Sequence, residues 1–152
     1  MIVTTPALDN LTLNIQEEIH VRAPLAATFE ALLEQLGPSN VRPDGVAMQM
    51  KIEAWPGGRW YRDLGEGIGH FWGHVQAIKP PTLLEITGPL FMSAPVVSNV
   101  QYRLSEVDGG TLIAFRHSAF GFVPDEFRGR TNEGWRFIHQ QVRLRAEQKS
   151  AH

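Results

Sequence analysis

The spacing of apolar and polar residues changes period several times along this chain, and those changes outline its elements. From Leu11 to Val21 the odd positions are apolar except for Glu17, while Thr12, Asn14, Gln16, Glu18 and His20 between them are polar. Period two marks a strand with one wetted face, and Glu17 in the apolar row points to a bulge or an open sheet end. After Ala23-Pro24 the period lengthens. Leu25, Phe29, Leu32, Leu33 and Leu36 form one stripe of a helix that a proline opens and Gly37-Pro38 stops. Residues 37–45, GPSNVRPDG, read as a loop. Alternation resumes at Met48, Met50, Ile52 and Ala54, and Pro56-Gly57-Gly58 turns the chain into a strand over 59–64. Further strands are expected over 70–79 and 82–87, divided by Pro80-Pro81. An irregular stretch begins at Gly88-Pro89. A hairpin over 99–106 and 111–120 then turns at Asp108-Gly109-Gly110.

The last segment has the longest period. Thr131, Trp135, Ile138, His139, Val142 and Ala146 fall on one side of a helix that continues to Gln148, with Arg136, Gln140 and Arg143 elsewhere. A helix of about 20 residues is about 30 Å long, enough to cross a small sheet. Strand, helix, a run of about six antiparallel strands and a long helix argue an α+β fold with the helices on one face. Residues 1–10 read as a flexible lead-in and 11–150 as one domain.

Composition narrows the classes. At 152 residues the chain can bury a core without staples, and 43% hydrophobic with 20% charged residues is ordinary for a globular domain. A net charge of −2 gives no case for nucleic acid or an acidic membrane surface. The absence of cysteine removes disulfides and thiolate chemistry and fits a cytoplasmic location. MIVTTPALDNLTLN lacks a basic segment followed by an apolar one, so no secretory signal is expected, and no apolar run reaches the ~18 residues of a membrane span. The GxGxG at 65–69 is not followed by a helix, so no nucleotide fingerprint and no cofactor is expected.

Several stretches together resemble one superfamily. IHVRAPLAATFEALL is similar to the opening strand and proline-started helix of the START-like, or SRPBCC, proteins. EAWPGGRWYRD resembles their Pro-Gly-Gly hairpin, and GHVQAIKPPTLLEITG their Gly-x-Val strand followed by Pro-Pro and a Leu-rich strand. VQYRLSEVDGGTLIAFRHSAF and NEGW are similar to their last hairpin and to the Gly-Trp early in their C-terminal helix. The branch it resembles is that of the activator of heat-shock-protein-90 ATPase, over about residues 15–148. The resemblance implies a helix-grip: a curved antiparallel sheet of about six to seven strands wrapped around the long helix, with an apolar cavity between. Many relatives carry a second short helix with a Trp where this chain has GPSNVRPDG, which implies an open or reshaped cavity mouth.

Four Trp, eight Phe and two Tyr supply candidate lining. Trp60, Phe71, Phe91, Tyr102, Phe115, Phe120, Phe122 and Trp135 are expected around a cavity for a hydrophobic or aromatic small molecule. Singly, each reads as core filling; under one long helix, they read as a pocket. His117 shares a strand face with Thr111, Ile113 and Phe115, so it faces the helix, where His139 and Tyr102 would meet it. Such a set binds a polar ligand end, moves protons near neutral pH, or is simply satisfied inside the core. Three functions follow: ligand binding; a cyclase, dehydratase or hydrolase using His117, Tyr102 or His139; and, by analogy with the chaperone-activator branch, a protein-interaction module. His70 and His74 lie about 13 Å apart on a strand, too far to share a metal. Ser93 and Ser118 have no evident base and orienting acid, and Asp125 and Glu126 suit a helix N-terminus. Phe137 and Leu144, opposite Trp135 on the wheel, raise a homodimer contact.

Overall fold

The computed structural model describes residues 8–151. The expected lead-in lies outside the described residues as far as residue 7, and Leu8–Leu11 makes one 3-10 turn. The elements are β1 (Thr12–Val21), α1 (Leu25–Leu36), β2 (Met50–Ile52), β3 (Arg59–Gly65), β4 (Ile68–Lys79), β5 (Leu83–Gly88), β6 (Val96–Val107), β7 (Gly110–Gly121) and α2 (Asp125–Ser150). They build one antiparallel sheet in the order β1-β7-β6-β5-β4-β3-β2. Consecutive strands are neighbours except β1, which closes against the last strand. The sheet is curved, and α2, about 39 Å long at 1.5 Å per residue, lies in its grip.

Register determines what faces α2. Across β1, β7, β6 and β5 one inward row reads Glu17, Phe115, Tyr102, Leu84, and the next reads Ile15, His117, Val100, Ile86. A third row brings Leu13, Ala119 and Ser98 together. α2 covers these rows with Thr131, Trp135, His139, Val142 and Ala146. α1 packs beside α2 and buries Phe29, Leu32 and Leu36. Charged pairs join the two helices at the surface, with Lys149 Nζ 3.0 Å from Glu30 and Arg145 Nη1 3.5 Å from Glu34. At the other end Arg128 donates to the carbonyls of Thr12 (2.9 Å) and Asn10 (2.8 Å). Trp60, fully buried on β3, donates its indole N–H to the Leu36 carbonyl at 2.8 Å and ties the far strands to the end of α1.

Three expectations need correction. Of the two features expected at Glu17 the bulge is absent, because β1 pairs with β7 without interruption from Thr12↔Phe120 to Val21↔Thr111, while β1 is the outermost strand of the open sheet. β6 starts at Val96 rather than residue 99, because Val96 to Ser98 pair with Gly121 to Ala119. The third concerns β4. Trp60 pairs with Gly73 and Tyr61 with Phe71, which leaves Trp72 as the extra residue of a bulge. Beyond a bulge the inward parity of a strand switches. Phe71, which plain alternation places inside with Val75, is therefore 40% exposed, and Trp72 is 6% exposed.

Beside the bulge the backbones of β4 and β5 approach closely. A Cβ on Gly88 would lie 2.4 Å from the Trp72 carbonyl oxygen and 2.5 Å from the Gly73 Cα. Both are backbone atoms and cannot step aside without distorting the ladder. Gly88→Ala is therefore expected to destabilise the fold by about 1–3 kcal/mol, read as a lowered urea midpoint. An unchanged midpoint would show that the strands have slack at this crossing.

Candidate functional site

Two hydrogen-bonded chains run between α2 and the sheet. In the first, His139 reaches over Phe115, its ring centroid 4.4 Å away, and bridges the two residues that flank Phe115 in its row. Its Nδ1 meets a carboxylate oxygen of Glu17, and its Nε2 lies 2.9 Å from the Tyr102 hydroxyl. An ionised carboxylate only accepts, so Nδ1 carries the proton and the phenol donates to Nε2. In the second, the Trp135 indole N–H donates to His117 Nδ1 at 3.0 Å, and His117 Nε2 lies 2.9 Å from Ser98 Oγ. An indole nitrogen can only donate, so His117 Nδ1 holds a lone pair and Nε2–H points at the serine. The chains touch where Trp135 stacks on His139, with 5.8 Å between centroids and planes 12° apart.

The electrostatics follow from burial. Desolvation lowers His117 to about 4, so the ring is neutral. Burial also lowers His139, against the opposing pull of Glu17, and the hydrogen bond from His139 lowers Glu17. Burial first, and the Glu17 charge second, raise Tyr102 well above the ordinary phenol range. Near neutral pH the first chain is thus carboxylate, neutral imidazole, neutral phenol. Such an order orients a histidine toward a hydroxyl proton. Tyr102, His117 and His139 are each at most 1% exposed, and among the described residues no buried side-chain N or O lacks a partner.

Free space lies beside this network. A groove of about 610 Å³ opens between α2 and the 40–48 loop. Trp72, Phe91 and Trp135 line its inner side, Phe127, Arg130, Thr131, Gly134, Phe137 and Ile138 its helix wall, and Val41, Arg42, Pro43 and Met48 its loop wall. Phe91 joins these aromatics at their edges, with centroids 5.8 Å from Trp72 and 6.4 Å from Trp135. The loop wall is GPSNVRPDG, folded back by a Val41–Ala47 bridge and by Asp44, which takes a fork from Arg42. Among the described residues Trp135 alone belongs to both the groove and the buried network.

The expected lining residues therefore separate. Phe91 and Trp135 border the groove; Tyr102, Phe115, His117 and His139 form the packed network; Trp60 lies behind Trp72, 5.0 Å between centroids. Phe120 is 58% exposed on the outer sheet face, since it has the parity of Arg116 and Ser118 rather than of His117, and Phe122 is exposed beyond the strand. Phe137 borders the groove and Leu144 is exposed further along α2. Asp125 and Glu126 sit in the first turn of α2 without a side-chain cap bond. Glu17, Ser98, Trp72, Arg130 and Gly134 were not anticipated as site residues. Glu17 leaves a signal as the acid in an apolar row, and Gly134 leaves one as the glycine of the NEGW stretch. Among the described residues no group of three or more His, Asp or Glu converges as a metal site, and no helix is long and apolar enough to cross a membrane.

His117 gives the site a pH signature. A folded-state value near 4 against 6.5 for an ordinary histidine means that the unfolded chain binds the extra proton between those values. Stability is therefore full above pH 6.5 and falls as the pH drops toward 4, by about 2 kcal/mol at pH 5 from His117 alone. Urea midpoints at pH 7 and pH 5 check this. The drop is expected to shrink in His117→Gln, and an equal drop in both proteins would contradict the assignment.

Solved structures share this architecture. An uncharacterized protein from Rhizobium leguminosarum superposes with a TM-score of 0.70 at 20% identity, over 90% of this chain and 95% of that one. CalU16 from Micromonospora echinospora gives 0.59 at 21% identity, over 89% and 75%. The di-domain ARO/CYC StfQ from the steffimycin biosynthetic pathway gives 0.70 at 10% identity; 95% of this chain is covered, but only 54% of that two-domain chain. At these identities the likeness establishes the START-like helix-grip fold. A comparison with curated proteins finds no match. The model of the family described as "Activator of Hsp90 ATPase homolog 1-like protein" matches residues 22–143, most of the chain and nearly every element of the grip, and the protein belongs to that family.

Proposed function

We propose that this protein binds a small hydrophobic molecule containing an aromatic ring in the groove between α2 and the 40–48 loop. The observation that carries the reading is the groove itself. Its volume of about 610 Å³ falls within the roughly 300–1,000 Å³ typical of small-molecule sites. Its inner side is aromatic; of its polar groups Arg42, Arg130 and Glu133 are exposed, while Asn40 and Thr131 are buried. The description of StfQ as an ARO/CYC supports a small-molecule role for the fold. The family description names a chaperone ATPase activator, but a cleft of this size and lining suits a small molecule better than a protein partner.

One observation favours a second reading, an enzyme of the cyclase, dehydratase or hydrolase type. Glu17, His139 and Tyr102 stand in series as an acid, a base and a hydroxyl. That reading requires substrate to pass Trp135, because the groove reaches the network only there. Turnover of aromatic esters or aryl ketones that is lost in His139→Gln would support it. Its absence across such a panel would remove it.

The binding reading is tested with the neutral fluorophore N-phenyl-1-naphthylamine. Wild-type protein is expected to raise its fluorescence, and saturating probe to raise Tm by about 5 °C or more through mass action. Phe91→Ala on the inner side and Val41→Asp on the loop wall are each expected to weaken binding. No fluorescence gain with wild type, or unchanged affinity in both variants, would overturn the proposal.

A further inference from the structure

We infer that the groove is shaped for a flat aromatic acid, its ring lying on bare helix backbone at Gly134 and its anionic group meeting Arg130. This rests on the groove-binding reading above and adds the class of ligand. Gly134 lies well inside α2, where glycine is the least favourable residue after proline. A close neighbour in the fold would explain it, but a Cβ built there meets no atom of the described residues within 4 Å. Gly134 nonetheless lines the groove. Its missing side chain leaves a shallow trough across the helix. Residues three and four positions away share a helix face. Those around Gly134 are Arg130 and Thr131 on one side, Phe137 and Ile138 on the other, and all four line the groove. A trough one side chain deep, faced by Phe91, accepts a planar ring and excludes a bulky one.

Charge selects the substituent. The charged side chains on the groove are Arg42, Arg130 and Glu133. Arg42 is occupied by Asp44, with contacts of 2.6 and 3.2 Å. Arg130 has no hydrogen bond or ion pair among the described residues. It sits four residues before Gly134 and so shares its face, whereas Glu133, the adjacent residue, is turned roughly 100° around the helix. An anion on the ring edge thus meets a planar guanidinium that has no other partner among the described residues, which can hold a carboxylate or sulfonate by two parallel hydrogen bonds.

The test uses the full chain and two probes that share a ring skeleton: anionic 8-anilinonaphthalene-1-sulfonate and neutral N-phenyl-1-naphthylamine. Fluorescence titration and thermal melting are applied to wild type, Arg130→Gln, Gly134→Leu and Gly129→Leu. Gly129 is the control, because its Cβ would also meet nothing but it does not line the groove. Wild type is expected to prefer the sulfonate by roughly fivefold at low ionic strength, with the preference fading in salt. Arg130→Gln is expected to abolish the preference, weakening the sulfonate more than the neutral probe. Both leucine variants are expected to melt about 2–4 °C above wild type, but only Gly134→Leu should weaken both probes, by about tenfold or more. If the neutral probe binds and the sulfonate preference is absent or survives Arg130→Gln, the acid assignment falls and groove binding stands. Wild-type affinity in Gly134→Leu, or a melting point below wild type, overturns the role of Gly134. If neither probe binds wild type, the groove reading itself falls.

Discussion

The covered face of α2 carries polar atoms that need partners away from water, and this requirement fixes how the helix sits in the sheet. Trp135 must donate, and His139 must donate at one nitrogen and accept at the other. The partners are Glu17, Tyr102 and His117, the last backed by Ser98, on three strands. A purely apolar helix face could slide or rotate by a residue with modest loss. Here a one-residue slip would strand several buried groups, each at a cost of about 1–3 kcal/mol. The two chains therefore act as a register lock between helix and sheet.

Such a lock has a consequence for function. The concave interior under the middle of α2 is filled by Tyr102, Phe115, His117, Trp135 and His139, stacked and bonded to one another. Space remains toward the N-terminal half of α2, opposite the 40–48 loop. Trp135 forms part of the boundary. Its ring borders the groove while its N–H is held by His117, so that wall is rigid. A preformed wall reduces the ordering that a ligand must impose when it binds.

The same arrangement separates two roles for aromatic residues that composition alone merges. Aromatics on central strands, with both neighbours paired, pack into the network. Those at the bulge of β4 and in the irregular stretch after β5, namely Trp72 and Phe91, meet the groove. The bulge selects Trp72 over Phe71, and at Gly88 the backbone of the next segment passes close beside it.

Much of this was legible in the sequence. Period-two and period-3.6 patterns fixed the order of strands and helices, the turn residues fixed the hairpins, and the helical row from Thr131 to Ala146 named the buried face of α2. Even the inward direction of His117 followed, because Arg116 beside it prefers water. The rest depended on contacts between residues far apart in the chain. Alternation is a local rule, so it could not reveal the extra residue at Trp72 or the true start of β6 at Val96. Glu17 stood out as an acid in an apolar row, yet its partner His139 is more than 120 residues away, and only the folded sheet brings them together. Whether the space under the helix was hollow or full depended on how side chains from all seven strands and both helices interlock, and packing of that kind is decided in three dimensions.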